Sequence, residues 1–255
     1  MTRAPVGPIL GDIVEGTATG WSLLAVLCWT VVITQAAVFA ISIYLHRALA
    51  HRSLRLHPVA EYSCRVIIWL TVGVSRQQWV AVHRKHHTFS DVPGDPHSPR
   101  LHGLWRVWLG NLFYYLREAR QPEVLATWAP DVQPDRWERL MFSRVLLGLA
   151  VGLGISFAIG WPALLGGLIH GVLNTFVLAP LINGLGHWRG QQNFENTAYN
   201  HRRAAWVTGG ESLHNNHHAY PRRAKFSMLP GEFDPSWVVI RGLEKMGMAS
   251  SSVVR

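Results

Sequence analysis

Two long apolar runs constrain this 255-residue chain more than any other feature: Trp21 to Leu45, and about Leu140 to Asn183. The first is 25 residues long, enough for one helix across a bilayer core that needs about 20. It is too long for the apolar stretch of a secretory signal, and Arg3 is the one basic residue before it, so residues 1–20 are not read as a leader. The second run, 44 residues, is divided near its middle by Trp161-Pro162 with no basic residue at the turn. It reads as two membrane helices in a tight hairpin. Charged residues make up 15% of the chain, below the roughly 25% of a soluble domain, which excludes a disordered or collagen-like chain. The two cysteines, Cys28 and Cys64, build neither a disulfide framework nor a thiolate metal site.

Between the runs, Tyr62 to Val82 is apolar but carries Arg65 and Arg76-Gln77-Gln78. An arginine at mid-bilayer costs about 2.5–3.5 kcal/mol, so this stretch is expected to lie in the interface or against protein, as one helix over about 60–82. Residues 99–139 mix Trp105, Trp108, Tyr114 and Tyr115 with arginines, an interfacial composition. The expected fold is a single all-α membrane domain over residues 1–255. It has about three transmembrane helices (about 21–45, 141–160 and 162–183), interfacial helices, and a histidine-rich helical cap made of residues 46–139 and 184–255. One crossing followed by a hairpin puts both cap segments on one side. They hold 22 of the 24 basic residues, so the positive-inside rule makes that side cytoplasmic and the N-terminus external. The net charge of +9 lies beside apolar runs, which points to anionic lipid or an acidic partner and not to nucleic acid.

The 14 histidines demand a chemical reason. Three clusters stand out: His46 with His51, His83-Arg-Lys-His86-His87, and His214-Asn-Asn-His217-His218. In H-x-x-H-H the rings at i, i+3 and i+4 share a helix face. The adjacent pair still diverges by about 100°, so one cluster serves two neighbouring metals. The i, i+5 spacing of His46 and His51 does not share an α-helical face and suits a helix that ends between them. His187, in Asn183-Gly-Leu-Gly-His187, stands at a membrane exit as His46 does, and Asn183 one turn earlier could hold a metal-bound water. Eight or nine imidazoles are too many for one structural zinc. They suit two five- or six-coordinate first-row ions, and a thiolate-free membrane-surface site suits iron and dioxygen. Asp91, Asp95 and Glu211 are candidates to accept imidazole N–H bonds and fix the tautomers, or else to cap helices or stand as surface charges. His57, His102 and His201 read as ordinary structural histidines. His170, inside an apolar run, stays open between a structural and a functional role.

At these residues the sequence resembles the membrane fatty-acid desaturases of the acyl-CoA Δ9 class, with one H-x-x-x-x-H and two H-x-x-H-H boxes. Tyr-Leu-His46-Arg, His51-Arg-Ser, Trp79 ahead of His83, Asp95-Pro-His97-Ser-Pro99, Asn183-Gly-Leu-Gly-His187 and Gly-Gly-Glu211-Ser-Leu-His214 through Pro221 also match. The likeness covers about residues 40–245 and is closest to short bacterial members. It implies two iron ions, cycling between Fe2+ and Fe3+, on His46, His51, His83, His86, His87, His187, His214, His217 and His218. Asn183 would act through water, and His97 would not be a ligand. The implied reaction uses O2 and two electrons to set a cis double bond, at Δ9, in a long-chain acyl group carried by CoA or phospholipid.

Eukaryotic acyl-CoA members have two membrane helices before the first box, and here there is room for one. No cytochrome b5-like segment is fused to this sequence. Electrons are therefore expected from a separate ferredoxin-, rubredoxin- or cytochrome b5-like protein with its reductase, with the active site on the cytoplasmic face of a bacterial inner membrane. A related hydroxylase or decarboxylase shares the first hydrogen abstraction and is the competing enzyme class. A non-enzymatic metal transporter would place its ligands along a path inside the bilayer, whereas nearly all the histidines lie outside the apolar runs. Leu178 and Leu181 are candidates to line an acyl tunnel.

Overall fold

The computed structural model describes residues 19–251. The expectations for residues 1–18, and with them the outer N-terminus, lie outside the described residues. Helix α1 (Thr19–Ala40) runs on into a π-helical stretch, Ile41–Ala50. The strand β1 (Leu54–Leu56) and helices α2 (Pro58–Thr71), α3 (Arg76–Phe89), α4 (Pro99–His102), α5 (Leu104–Ala119) and α6 (Pro122–Trp128) follow. Then come the hairpin helices α7 (Val145–Ile159) and α8 (Trp161–Leu173), a π turn at Asn174–Leu178, α9 (Ala179–Asn183), α10 (His214–Ala219), α11 (Pro235–Lys245) and β2 (Ala249–Ser251). Among the described residues the fold is all-α apart from β1 and β2, which pair antiparallel with Leu54 opposite Ser251.

Among the described residues, two helical segments are long and apolar enough to cross a bilayer: Ser22–Ala50 and Trp161–His187. Leu23, Leu24, Leu27, Val31 and Val32 of α1 are all exposed, the pattern of a helix solvated by lipid and not by water. The second expected membrane helix, over 141–160, is shorter than the sequence reading. It starts at Val145, not 141, because residues 138–142 form a separate π turn. Its 15 residues reach about 22 Å at 1.5 Å per residue. The hairpin turns at Gly160, whose φ of +141° admits few side chains, and Pro162 then opens α8.

The expected single helix over 60–82 is two helices. The break is at Gly73, φ +67°, a left-handed position that ends α2. Arg65 is 4% exposed. Its guanidinium forks onto Asp135 at 2.7 and 2.9 Å and reaches Glu138 at 3.2 Å, so it faces protein and not lipid. The end of α2 packs directly on α7. A Cβ on Gly148 would lie 2.3 Å from the Trp69 carbonyl, and one on Gly152 would lie 2.1 Å from that of Leu70. His170 of α8 is structural: its Nδ1 meets Thr34 Oγ1 at 3.1 Å and its Nε2 meets the Thr71 carbonyl at 3.0 Å, tying α1, α8 and α2 together.

The first helix also outruns its expected end at Leu45, because its last ten residues are π-helical. A π turn bonds residue i to i+5, and the His51 N–H donates to the His46 carbonyl at 3.1 Å. The helix does end between the two histidines, at Ala50, but its wider winding stacks residues five apart. The i, i+5 spacing that an α-helix would splay thus puts both rings on one side, with centroids 4.9 Å apart.

Candidate metal centre

Four elements converge above the ends of the two long apolar helices. The π stretch brings His46 and His51, α3 brings His83, His86 and His87, the turn after α9 brings His187, and α10 brings His214, His217 and His218. Their ligating nitrogens gather into two groups, each within 4.8 Å: His46, His51, His83, His87 and His217 in one, and His86, His187, His214 and His218 in the other. Each H-x-x-H-H box is split between them, and the two splits are reciprocal. On α3 the i and i+4 rings join the five-histidine group and the i+3 ring the other. On α10 the assignment is reversed. His87 and His218, one from each group, stack at 4.2 Å and 11° where the groups meet.

Three carboxylates face Nδ1 atoms. Glu211 lies 2.5 Å from His46, Asp95 3.0 Å from His86 and Asp91 2.8 Å from His187. A carboxylate at Nδ1 accepts a hydrogen bond from Nδ1–H and so leaves Nε2 as a bare lone pair. Yet His86 Nε2 and His187 Nε2 are 3.0 Å apart. With both Nδ1 protons engaged, neither has one to share. Two facing lone pairs at that distance call for a cation between them. Two nitrogens each about 2.1 Å from one ion and at right angles lie about 3 Å apart. His46–His217, His87–His217, His51–His83 and His187–His214 repeat the spacing at 2.8–2.9 Å. Burial, the largest influence, pushes His51, His83, His87, His214, His217 and His218 well below the ordinary imidazole range, and neighbouring rings push the same way. Neutral imidazole is the metal-binding form. The donor set fits two ions.

Beside the histidines lies a cavity of about 200 Å³. Val38, Ile41, Val72, Val74 and Ile182 give it apolar walls, and His46, His83, His86 and His214 close one side. Trp79 reaches it while stacked on His83 at 4.8 Å. Leu178 lines it; Leu181 is not among the lining residues. Asn183 lines it too and donates to Asn111 Oδ1 at 3.1 Å. His97 stacks on His86 at 4.5 Å, its buried Nδ1 without a hydrogen-bond partner among the described residues. His57 caps α2, accepting from the Val59 N–H at 3.3 Å. His102 stacks on Tyr114 at 4.8 Å, and His201 Nε2 meets the Leu185 carbonyl at 3.4 Å.

Sequence reasoning missed the residues that hold this arrangement. Arg47, fully buried, joins Glu211 at 3.0 Å, both oxygens of Asp234 at 3.0 and 3.2 Å, the Ala224 carbonyl at 2.7 Å and Ser42. Burial alone would raise the Glu211 carboxyl, but His46 and Arg47 together hold it below its ordinary range. Behind α10, Asn215 and Asn216 bond Asn193, Asn196, Asn200 and Glu232, anchoring the third box to its surrounding loop. The one sequence signal was the run of asparagines within and around that box.

Fold and site thus define a membrane protein that gathers nine histidines into two adjacent groups that could each hold a metal ion, beside an apolar cavity. A family profile described as fatty acid desaturase matches residues 20–231, and the chain belongs to that family. It is 31% identical over 214 residues to the sn-1 stearoyl-lipid 9-desaturase of Synechocystis, covering 82% of this chain and 65% of that protein's length. It is 31% identical to Delta-9 acyl-lipid desaturase 1 of Arabidopsis thaliana, covering 82% and 69%. It is 29% identical to an acyl-CoA C20 Delta5-desaturase of Anemone leveillei, covering 84% and 69%. The chain therefore spans about two thirds of the length of these relatives.

Proposed function

We propose that this chain is an O2-dependent di-iron acyl desaturase that sets a cis double bond, at Δ9, in a long-chain acyl group held as a CoA thioester or in a phospholipid. The observation that carries the proposal is the division of the nine histidines into two close-set groups of ring nitrogens beside an apolar cavity. His46, His51, His83, His87 and His217 hold one iron; His86, His187, His214 and His218, with Asn183 through water, hold the other. Glu211, Asp95 and Asp91 keep His46, His86 and His187 in the Nδ1–H tautomer. The iron pair, when bound, supplies the oxidising power that takes two hydrogens from adjacent methylenes. With two electrons and two protons delivered from outside, the four hydrogens and O2 leave as two waters.

The rest is the work of the protein's own residues. Val38, Ile41, Val72 and Val74 keep water from the methylenes and hold the chain at one depth beside the imidazoles. Trp79 braces His83 through its stacked face. The reading of electrons from a separate donor, with its reductase, is supported by Arg52, Arg222, Arg223 and Lys225, all exposed. Arg222 stands close enough to His51 to disfavour its protonation. A basic surface beside the centre suits an acidic ferredoxin- or rubredoxin-like carrier, or a cytochrome b5-like one. The same basic surface supports a cytoplasmic active site, on a bacterial inner membrane. The names of the relatives divide between lipid-linked and CoA-linked acyl groups.

The test is the fatty-acid profile of membranes from cells that express the chain with a compatible donor, beside a His86→Ala control. A new cis-monounsaturated acid, lost in the control, is the expected result. Hydroxylated or shortened products would move the assignment to the related hydroxylase or decarboxylase. No new product would favour a metal-binding role without this chemistry.

A further inference from the structure

The mouth of the cavity indicates where the acyl chain comes from. Of the described side chains that line the cavity, Leu112 of α5 is the exposed one, at 48%. It belongs to a stripe, Trp105, Leu109, Leu112 and Phe113, that is exposed on the outer face of α5, with the exposed Arg106 and Arg117 along one edge. These positions fall at i, i+4, i+7 and i+8, one side of a helix. The opposite side of α5, with Val107 and Asn111, is buried against the protein. An outward apolar stripe bearing a tryptophan is unfavourable in water and favourable at the membrane interface.

The other rim of the mouth is the π turn Asn174–Leu178, inside the second long apolar segment. Asn174, Thr175 and Leu178 face the cavity while Phe176 and Val177 are exposed. Pro180 has no N–H to offer the Phe176 carbonyl four residues back, and the Trp108 indole of α5 donates to it instead, at 3.0 Å. The opening at Leu112 is therefore flanked by an interfacial helix and by a membrane-spanning helix that pack on each other and are joined by this hydrogen bond. Its exposed rim is apolar. Arg47, Arg84 and Arg100 stand close to the histidines, Arg100 donating to the His187 carbonyl at 3.2 Å, but no arginine or lysine is among the residues that line the cavity.

We infer that the acyl chain reaches the histidine centre sideways, from within the bilayer, so that the substrate is an acyl chain of a membrane phospholipid and not of a water-soluble thioester. The inference rests on the desaturase reading and narrows its choice of acyl carrier. A phospholipid chain passing between α5 and the π turn moves from one apolar medium to another and exposes no apolar surface on the way. A CoA or carrier-protein thioester presents phosphates with its chain, and these want guanidinium or ammonium partners at the mouth; its rim supplies leucine, phenylalanine and valine.

The purified iron-loaded protein is placed in phosphatidylglycerol vesicles and supplied with ferredoxin, its reductase and NADPH. Deuterated stearoyl chains are offered in three forms: in the phosphatidylglycerol itself, as stearoyl-CoA, or as stearoyl-acyl carrier protein. The expected result is labelled monoene from the phospholipid at least ten-fold faster than from either thioester. Monoene from a thioester at an equal or higher rate overturns the lateral route and leaves the desaturase reading standing. No monoene from any of the three overturns the desaturase reading itself. A readout free of turnover uses a phospholipid with a diazirine at mid-chain. Photolysis should label peptides carrying Leu112 or Leu178, and Leu112→Trp should cut that labelling at least five-fold while iron content is kept. Undiminished labelling in Leu112→Trp, or labelling of the cavity by a stearoyl-CoA probe alone, contradicts the route.

Discussion

His86 and His187 point their Nε2 atoms at each other across 3.0 Å while Asp95 and Asp91 occupy their Nδ1 atoms. The four residues form a clamp whose two free lone pairs would be shared by one ion. Removing one carboxylate frees its imidazole to turn or change tautomer. Asp95→Asn is therefore expected to weaken iron at the four-histidine group by about 10–100-fold. Iron retained after dialysis against graded chelator measures it, and unchanged retention would show that Asp95 has no part in orienting His86.

Arg47 links the first histidine box to the third through Glu211 and to the start of α11 through Asp234. Neither carboxylate has solvent to fall back on. Arg47→Met is expected to destabilise the protein by about 3–5 kcal/mol, since it strands buried charges. Arg47→Lys should recover only part, because an ammonium cannot fork to two carboxylates. Unfolding midpoints in detergent micelles measure both.

Close approach of α7 to α2 makes an unequal pair of glycines. Gly148→Ala would push a methyl into the Trp69 carbonyl, whereas a methyl on Gly154 would meet nothing within 4 Å. Gly148→Ala is expected to lower stability by about 1–3 kcal/mol through overpacking. Gly154→Ala should be neutral or slightly stabilising, since alanine is the better helix former. Thermal aggregation curves for the two variants distinguish them.

Outside the membrane segments, hydrogen bonds from Arg65 hold the Asp135 carboxyl below the ordinary carboxylate range, against the effect of burial. A depressed acid contributes stability that is full above its unfolded value, about 3.9, and is lost as pH falls through its folded value. Wild type should therefore exceed Asp135→Asn in stability at about pH 6, and the margin should shrink toward about pH 3. Paired unfolding midpoints across that range check the sign. A margin that grows on acidification would contradict the Arg65–Asp135 pairing.

Much of the site was legible because its information is local. H-x-x-H-H spacing on a helix dictates that neighbouring rings diverge, and the structure divides both boxes between two groups. Trp161-Pro162 marked the hairpin turn because proline opens helices, with Gly160 supplying the bend. What was not legible depends on winding or on distance. Nothing in Ile41–Ala50 distinguishes a π-helix from an α-helix by composition, although the i, i+5 histidines now have their explanation there. Val72-Gly73-Val74 reads as continuous apolar helix until the left-handed Gly73 breaks it. Arg47 resembles any arginine flanking an apolar helix, since its partner Asp234 lies 187 residues away. The short span of α7 was hidden because a π turn at 138–142 interrupts an otherwise apolar run.

On the proposed reading the nine histidines serve two ions and not one. The direct measurement is iron per chain in protein purified from iron-replete cells, for wild type, His87→Ala and His214→Ala. Two irons in wild type, falling to about one in each variant, is the expected result, with product lost in both. A wild type that saturates at one iron, or variants in either group that keep two, would contradict the division of the boxes.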